Sequence, residues 1–510
     1  MEIMESTSLR KGRRWMNGSN SKSSSVKFNK YDPESFIKSI QEILGNPPDL
    51  NHHPFALTPD RQGHCLFINT LVDKGKIEDT ILRFFSENFA TEDAVNWTMN
   101  ELRYQIPISN SSTITDLNDC VLALMEGNCL LLLKGEDEIL QLDVSMQSMR
   151  PIPKPETEMT VRGPQEAFNE DMATSLSLIR KRIKAADLRF EQFTIGSKTE
   201  SRVVIVYMEE LAPTEVVEEF RRRLNAINTD SILDVSYVED YISDRTFIPM
   251  PMMQKSERPD VTVSHLLEGR VAVMVDGSPL SLIGPITFFQ FFSSPEDYFQ
   301  RADIATFMLW IRFISFLLAI FVPALYIAVT IYQQSLLPPS LLISISAQRE
   351  GVPFPSYIEA FLMAGSFEIL REAGLRMPRI AGQAISIVGA LVLGEAAVQA
   401  GLVSAAMVIV VAVTAIASFV APYYNFGLSQ RFLQYAFMLL ASFMGLFGIL
   451  CGALFAVVHF ASLRSFTVPF LAPIAPTYVS DWKDVLARRG RSKIKTYPAM
   501  NRTKQKRRIP

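Results

Sequence analysis

From Leu309 to Phe460 the chain passes through several long apolar stretches parted by short polar ones, whereas the sequence up to about residue 305 carries charged and polar groups throughout. An apolar helix of about 20 residues crosses the hydrocarbon of a bilayer, where the backbone must satisfy its own hydrogen bonds. The pattern predicts an α/β soluble N-terminal region followed by an all-α polytopic membrane domain over 306–462. With 510 residues the chain also exceeds a single compact core.

Spans are expected at about 309–332, 382–401, 402–421 and 432–460. Arg312 lies near enough to the start of the first to snorkel, and Pro323 can kink it. The second and third follow almost without a break, so a tight turn is expected near Gly401. In the fourth, Gly448, Gly452 and Ala456 offer a small-residue face for close helix contact, or simply flexibility. Between the first two lies "PSYIEAFLMAGSFEILREAGLRMP", where Ser356 and Glu359 have capping-box spacing and Gly374 offers a stop. Its apolar stripe predicts an interfacial or re-entrant helix over 356–374, leaving four or five spans. Four would put both termini in the cytoplasm. The 463–510 tail agrees, because every charge after Asp484 is positive.

The soluble half divides by composition. Residues 1–30 are basic and rich in Ser and Asn, a disordered tail without the apolar core of a signal peptide. A first α/β subdomain is expected over 31–147, a Pro-rich linker over 148–160 and a second subdomain over 161–305. "LMEGNCLLLLKGEDEILQL" from Leu124 and "LLEGRVAVMVDGSPLSLIG" from Leu266 share one plan, with Glu126, Gly127 and Gly135 falling on Glu268, Gly269 and Gly277. Either the halves are an internal repeat or two unrelated hairpins share turn glycines.

Within "GQAISIVGALVLGEAAVQAG", Glu395 is the one ionisable group, about 20 Å into the core if Gly382 marks an interface. A carboxylate there must face a partner helix, water or an ion path, or else a turn near Gly394 returns it to the interface. Gln399 lies one turn on, on the same face. Phosphate-loop, dinucleotide and serine-hydrolase motifs are lacking, and the sequence is read as non-enzymatic, without a cofactor. His52, His53, His64 and Cys65 cluster, but their spacing fits no common metal site. Four scattered cysteines suit free thiols. The basic runs are assigned to topology or anionic lipid rather than to nucleic acid.

"SLLPPSLLISISAQREGVPFPS", "FEILREAGLRMP", "GQAISIVGALVLGEAAVQAGLVS", "MVIVVAVTAIASF", "PTYVSDWKDVL", "VRGPQEAFNEDMATSLSLIRKRIK" and "DGSPLSLIGPITFFQFFSSPEDYFQ" resemble the A subunits of GerA-type bacterial spore germinant receptors, in the family's order from about residue 160 to 487. The resemblance implies a multi-pass spore inner-membrane protein acting with a transporter-like B subunit and a lipoprotein C subunit, self-associating into a germinant-gated ion channel. The family usually has Gln where this chain has Glu395, and an acid where it has Ala364. Glu395 and Gln399 are the residues expected to line a path, with Arg371 and Glu372 coupling the preceding helix to them. Arg162, Gly163, Pro164 and Glu166 form either a fixed linker turn or a subunit contact. A secondary transporter of ions or small metabolites, or a non-conducting scaffold subunit, are the alternatives.

Overall fold

The computed structural model describes residues 33–58, 61–87, 97–108, 110–145, 153–244, 247, 249–376 and 394–508. The expected 1–30 tail, the first part of the 148–160 linker and the 382–401 span up to residue 393 lie outside the described residues.

Strands β1 (Leu50–Thr58), β2 (Arg61–Ile68), β3 (Ser111–Ile114), β4 (Asn128–Leu133) and β5 (Ile139–Asp143) form an antiparallel sheet ordered β1-β2-β4-β5-β3. Helices α1 (Pro33–Leu44) and α3 (Leu117–Met125) cover one face, and the helical run 74–87 with α2 (Met99–Gln105) covers the other. The central strand β4 is buried along its whole length, which is why "NCLLLL" reads as a continuous apolar run rather than an alternating one. The second sheet, β6 (Leu188–Ile195), β7 (Ser201–Met208), β8 (Gln254–Ser256), β9 (Val271–Val275) and β10 (Ser281–Gly284), is ordered β6-β7-β9-β10-β8. Its faces carry α4 (Met172–Arg182) with α7 (Pro259–Leu266), and α5 (Thr214–Asn225) with α6 (Val235–Ile242).

The two sheets have one strand order, and the matched glycines do one job. Gly127 and Gly269 have φ of 86° and 80°, and a β-carbon on either would lie within 2.9 Å of a carbonyl oxygen, Leu71 O or Leu211 O. Only glycine closes that turn without strain. The internal repeat is thus a repeat of topology as well as of sequence.

A buried ion pair joins the two sheet units. Arg180 on α4, with 1% of its side chain exposed, grips Asp49 at 2.8 and 3.1 Å, and the Thr70 hydroxyl donates to the same carboxylate at 2.6 Å.

The apolar half begins with α8 (Ala302–Ile331), followed by α9 (Pro339–Arg349), α10 (Ser356–Arg376), α11 (Ala405–Phe419) and α12 (Tyr424–Ser462). The segment read as an interfacial or re-entrant helix over 356–374 forms α10, which packs against its neighbours along its length. It packs along α11, start to start through Glu359 and Ser404 and end to end through Arg371 and Ser418, with Ala360 and Ala364 buried. The physical reason is that its polar residues are spread around the helix and find partners on several neighbours, so no single face need meet water. Helices α10 and α11 therefore run in the same direction.

The expected single tilted span over 432–460 is also corrected, because α12 is a hairpin. At Gly445 (φ 58°, ψ −140°) the backbone leaves the helical region. A β-carbon on Gly452 would lie 3.1 Å from the Phe437 ring. Phe426 and Phe460 both pack on Phe288, at 5.9 and 5.7 Å, whereas a straight helix would hold them about 51 Å apart. The end of α8 satisfies the broken turn: the Tyr332 hydroxyl donates to Ser442 O at 2.7 Å and Gln333 Oε1 accepts from Leu446 N at 3.1 Å. Beyond the hairpin the chain returns to the second sheet unit, where Phe466 stacks on Phe220 at 3.9 Å. The basic tail follows it there, with Arg508 paired to Glu268 at 3.0 Å.

Asp49→Ala leaves the Arg180 guanidinium buried without its counter-charge and is expected to cost about 3–5 kcal/mol. Urea unfolding of the purified chain checks this, and Asp49→Ala combined with Arg180→Met should recover most of the loss.

Candidate functional site

Helix α10 carries two separated layers of charge, the first built on a fully buried carboxylate and the second on a carboxylate, Glu368, whose side chain is 35% exposed. The first is at its start. Glu359 is fully buried and accepts from the backbone N–H and hydroxyl of Ser404, at 3.0 and 2.9 Å. Ser404 is the N-cap of α11, so the carboxylate sits at the positive end of that helix. Arg349 on α9 adds an ion pair at 3.4 Å. The Thr330 hydroxyl donates to Ser356 at 2.9 Å and Tyr326 Oη lies 3.4 Å from Ser404 Oγ, which completes a polar layer across α8, α10 and α11.

The second layer lies nearer the sheet units. Glu368 meets the guanidinium of Arg431 on α12 and that of Arg371 at 3.4 Å. Arg371 also donates to Ser418 at 2.9 Å and lies between the rings of Phe367 and Phe419, at 5.0 and 4.9 Å. Both arginine side chains are nearly buried, at 11% and 12% exposed, and the Nε of Arg371 has no hydrogen-bond partner among the described residues. Two guanidinium groups share one carboxylate, leaving the layer with net positive charge. Ala364 lines the water-sized void of about 20 Å³ beside them.

The residues singled out from sequence fare unequally. Arg371 enters the second layer. Glu372 faces outward and pairs with Arg376 at 2.6 Å. Glu395 and Gln399 lie on a helical turn over 394–399, both exposed and bonded to each other at 3.1 Å. Among the linker residues, the Arg162 N–H donates to Glu296 at 3.4 Å, Gly163 (φ 116°) lies against the Phe299 ring, Pro164 O accepts from Arg258 at 2.9 Å, and Glu166 pairs with Arg182. His52 and His64 lie 2.9 Å apart, and no group of three or more metal-ligating residues occurs among the described residues.

Glu368 and Arg431 were not singled out as site residues. Arg431 precedes the apolar run that starts at Phe432 and so reads as an interfacial flank, although α12 begins seven residues earlier, at Tyr424. The signal that could have found the pair was the i,i+3 spacing of Glu368 and Arg371, followed by a lone arginine inside a helix-forming segment.

A third titratable group lies at the joint between the halves. Burial pushes the Glu158 carboxyl up to about 7, against the pull of the Ser256 hydroxyl, which donates to it at 2.5 Å.

The chain as a whole matches a defined class of protein. The family described as "GerA: Bacillus/Clostridium GerA spore germination protein" matches residues 38–500, and the chain belongs to that family. It is 41% identical to Spore germination protein KA of Bacillus subtilis (strain 168), over 89% of this chain and 84% of that one. It is 39% identical to "Uncharacterized membrane protein YfkQ" of the same organism, over 84% and 83%. It is also similar to the crystallised N-terminal domain of the A subunit of the Bacillus megaterium spore germinant receptor GerK3. That match has 30% identity, 52% of this chain, 100% of that chain and a TM-score of 0.40. The relatives support a role in germinant-receptor-mediated spore germination.

Glu158 has a folded value above the ordinary 4.5, so the native state holds a proton that the unfolded chain releases. Stability should therefore fall as pH rises from about 4.5 to about 7 and level off above. Glu158→Gln keeps an acceptor for Ser256 and is expected to flatten that fall, as urea midpoints at about pH 5 and about pH 8 would show.

Proposed function

We propose that the chain is the A-type membrane subunit of a nutrient germinant receptor, and that its helical half, closed by self-association, forms a germinant-gated ion path. The role is non-enzymatic. The observation that carries this reading is the second charge layer. Glu368, Arg371 and Arg431 meet at the side of a bundle whose buried cluster is apolar, the two guanidinium groups nearly buried and the carboxylate 35% exposed. Ionised groups at such a position are costly and mark ion or substrate pathways.

The chain enters the bundle at α8 from the sheet side and leaves it at Phe460 on the same side, so both ends lie together. This supports a multi-pass protein of the spore inner membrane with its N-terminal region and tail in the cytoplasm. Glu395 and Gln399 face away from the subunit, and they would line a path only where a second copy closes over them. Glu372 would then stay at the rim, with Arg371 linking α10 to the path. A transporter-like B subunit and a lipoprotein C subunit complete the receptor on this reading. Germinant binding acts by favouring the arrangement of helices in which the path is open. The Gly445 turn favours a channel subunit over a transporter, because it ends a hairpin beside Tyr332 rather than unwinding a helix in mid-bundle.

Glu368→Gln removes the shared carboxylate and leaves two guanidinium groups in repulsion. Potassium release from spores triggered by amino acids, sugars or nucleosides is expected to slow by about tenfold or fail, at unchanged subunit abundance by immunoblot. Ala364→Glu, which adds a second carboxylate, should restore release in that background. Normal release from Glu368→Gln spores would rule out this layer as the gate.

A further inference from the structure

A cavity of about 810 Å³ lies on the sheet side of the joint, outside the charge layers. Helix α7, the turns Phe288–Phe292 and Pro295–Tyr298, Tyr423 at the start of α12 and the folded-back tail enclose it. Its size falls in the range of small-molecule sites, roughly 300–1,000 Å³. Much of the wall is apolar or aromatic, with Val263, Phe289, Phe299 and Val485 among its residues.

The charges around it are unbalanced in a specific way. The acids that line it are already engaged: Asp260 with Arg258 at 3.0 Å, Glu268 with Arg508 at 3.0 Å, and Asp481 with the Met500 N–H at 2.8 Å. Lys483, Arg489, Lys493 and Lys495 line the same cavity and have no ion pair among the described residues. At its inner wall Gln254 is 2% exposed. Its Nε2 has no hydrogen-bond partner among the described residues. A buried amide N–H without an acceptor is costly, and it lines a space large enough to hold one.

We infer that this cavity binds an amphipathic anion, an acidic group carried on an apolar or aromatic body. The body packs against Phe289 and Phe299, the acid meets the lysines of the tail, and a polar atom of the ligand accepts from Gln254. Two sources offer this chemistry, a soluble organic acid and the headgroup of an anionic phospholipid, since Tyr423 leads directly into the helical half. Occupancy would tie the tail, α7 and the start of α12 together, independently of whether the helices conduct ions.

The test uses the full chain in phosphatidylcholine nanodiscs, titrated with 2-naphthoate and followed by fluorescence anisotropy, with neutral 2-naphthol as control. A parallel arm measures retention of phosphatidylglycerol from mixed nanodiscs by native mass spectrometry. Saturable naphthoate binding, weakened about tenfold in the Lys483→Gln/Lys493→Gln/Lys495→Gln variant, supports a soluble acid. Retention of phosphatidylglycerol that the same variant loses supports a lipid headgroup. These lysines are exposed, so the variant should fold. Ser264→Trp, which fills the cavity from α7 and keeps every cation, should abolish either kind of binding. Absence of both kinds of binding overturns the inference, and so does binding that survives Ser264→Trp, which would be surface ion pairing only.

Discussion

The structure hangs on one aromatic joint. Phe288 packs on Phe316 of α8 at 5.7 Å, on Phe426 and Phe460 of the α12 hairpin and on Phe470 at 6.0 Å, and its N–H donates to Phe470 O at 2.8 Å. At the start of the turn that carries it, the Thr287 N–H donates to Gln290 Oε1 at 3.0 Å. Each ring pair contributes about 0.5–1.5 kcal/mol beyond burial, so the cluster holds the second sheet unit firmly against three helical arms. A tilt of that unit cannot be absorbed by a flexible linker. It must move α8 and both arms of α12 together.

Much of this plan was legible in the sequence because it depends on local periodicity. The buried strand "VAVMV" and the Glu-Gly turns announced two sheet units of one design, and the apolar runs announced the helical half. What could not be read was how the helices close on one another. In "LLASFMGLFGILCGALF" no charge or proline marks a turn, so the run reads as one long rod. The break at Gly445 exists because Tyr332 and Gln333, more than a hundred residues away in the chain, satisfy the freed backbone groups. That is a tertiary cause, and its local trace is only one glycine among several in the run.

The same distinction explains the candidate site. Glu395 stands out because nothing around it in the chain is charged, yet its side chain is exposed and bonded only to Gln399 among the described residues. Glu359 looked like half of a capping box on its own helix, but it caps α11 instead, through Ser404. Arg431 reads as an interfacial flank and Glu368 as one of several polar residues on its own helix. A charge conspicuous in one segment is not the same as a charge buried by the fold, and only contacts between segments tell them apart.

The joint and the second charge layer lie on one arm of the hairpin. Arg431 follows Phe426 by five residues, about 7.5 Å along the helix, so a displacement of Phe426 is carried to Arg431 with little loss. Glu368 is on α10, which has no ring in the Phe288 cluster. Motion of the sheet unit would therefore shift the two partners of this ion pair unequally. On separation Glu368, 35% exposed, can turn to water, whereas Arg431, 11% exposed, is left nearly buried without its counter-charge. On the proposed reading this is how a small rotation outside the bundle becomes a two-state change within it. The Phe288 cluster supplies the lever, and Glu368 with Arg431 supplies the latch.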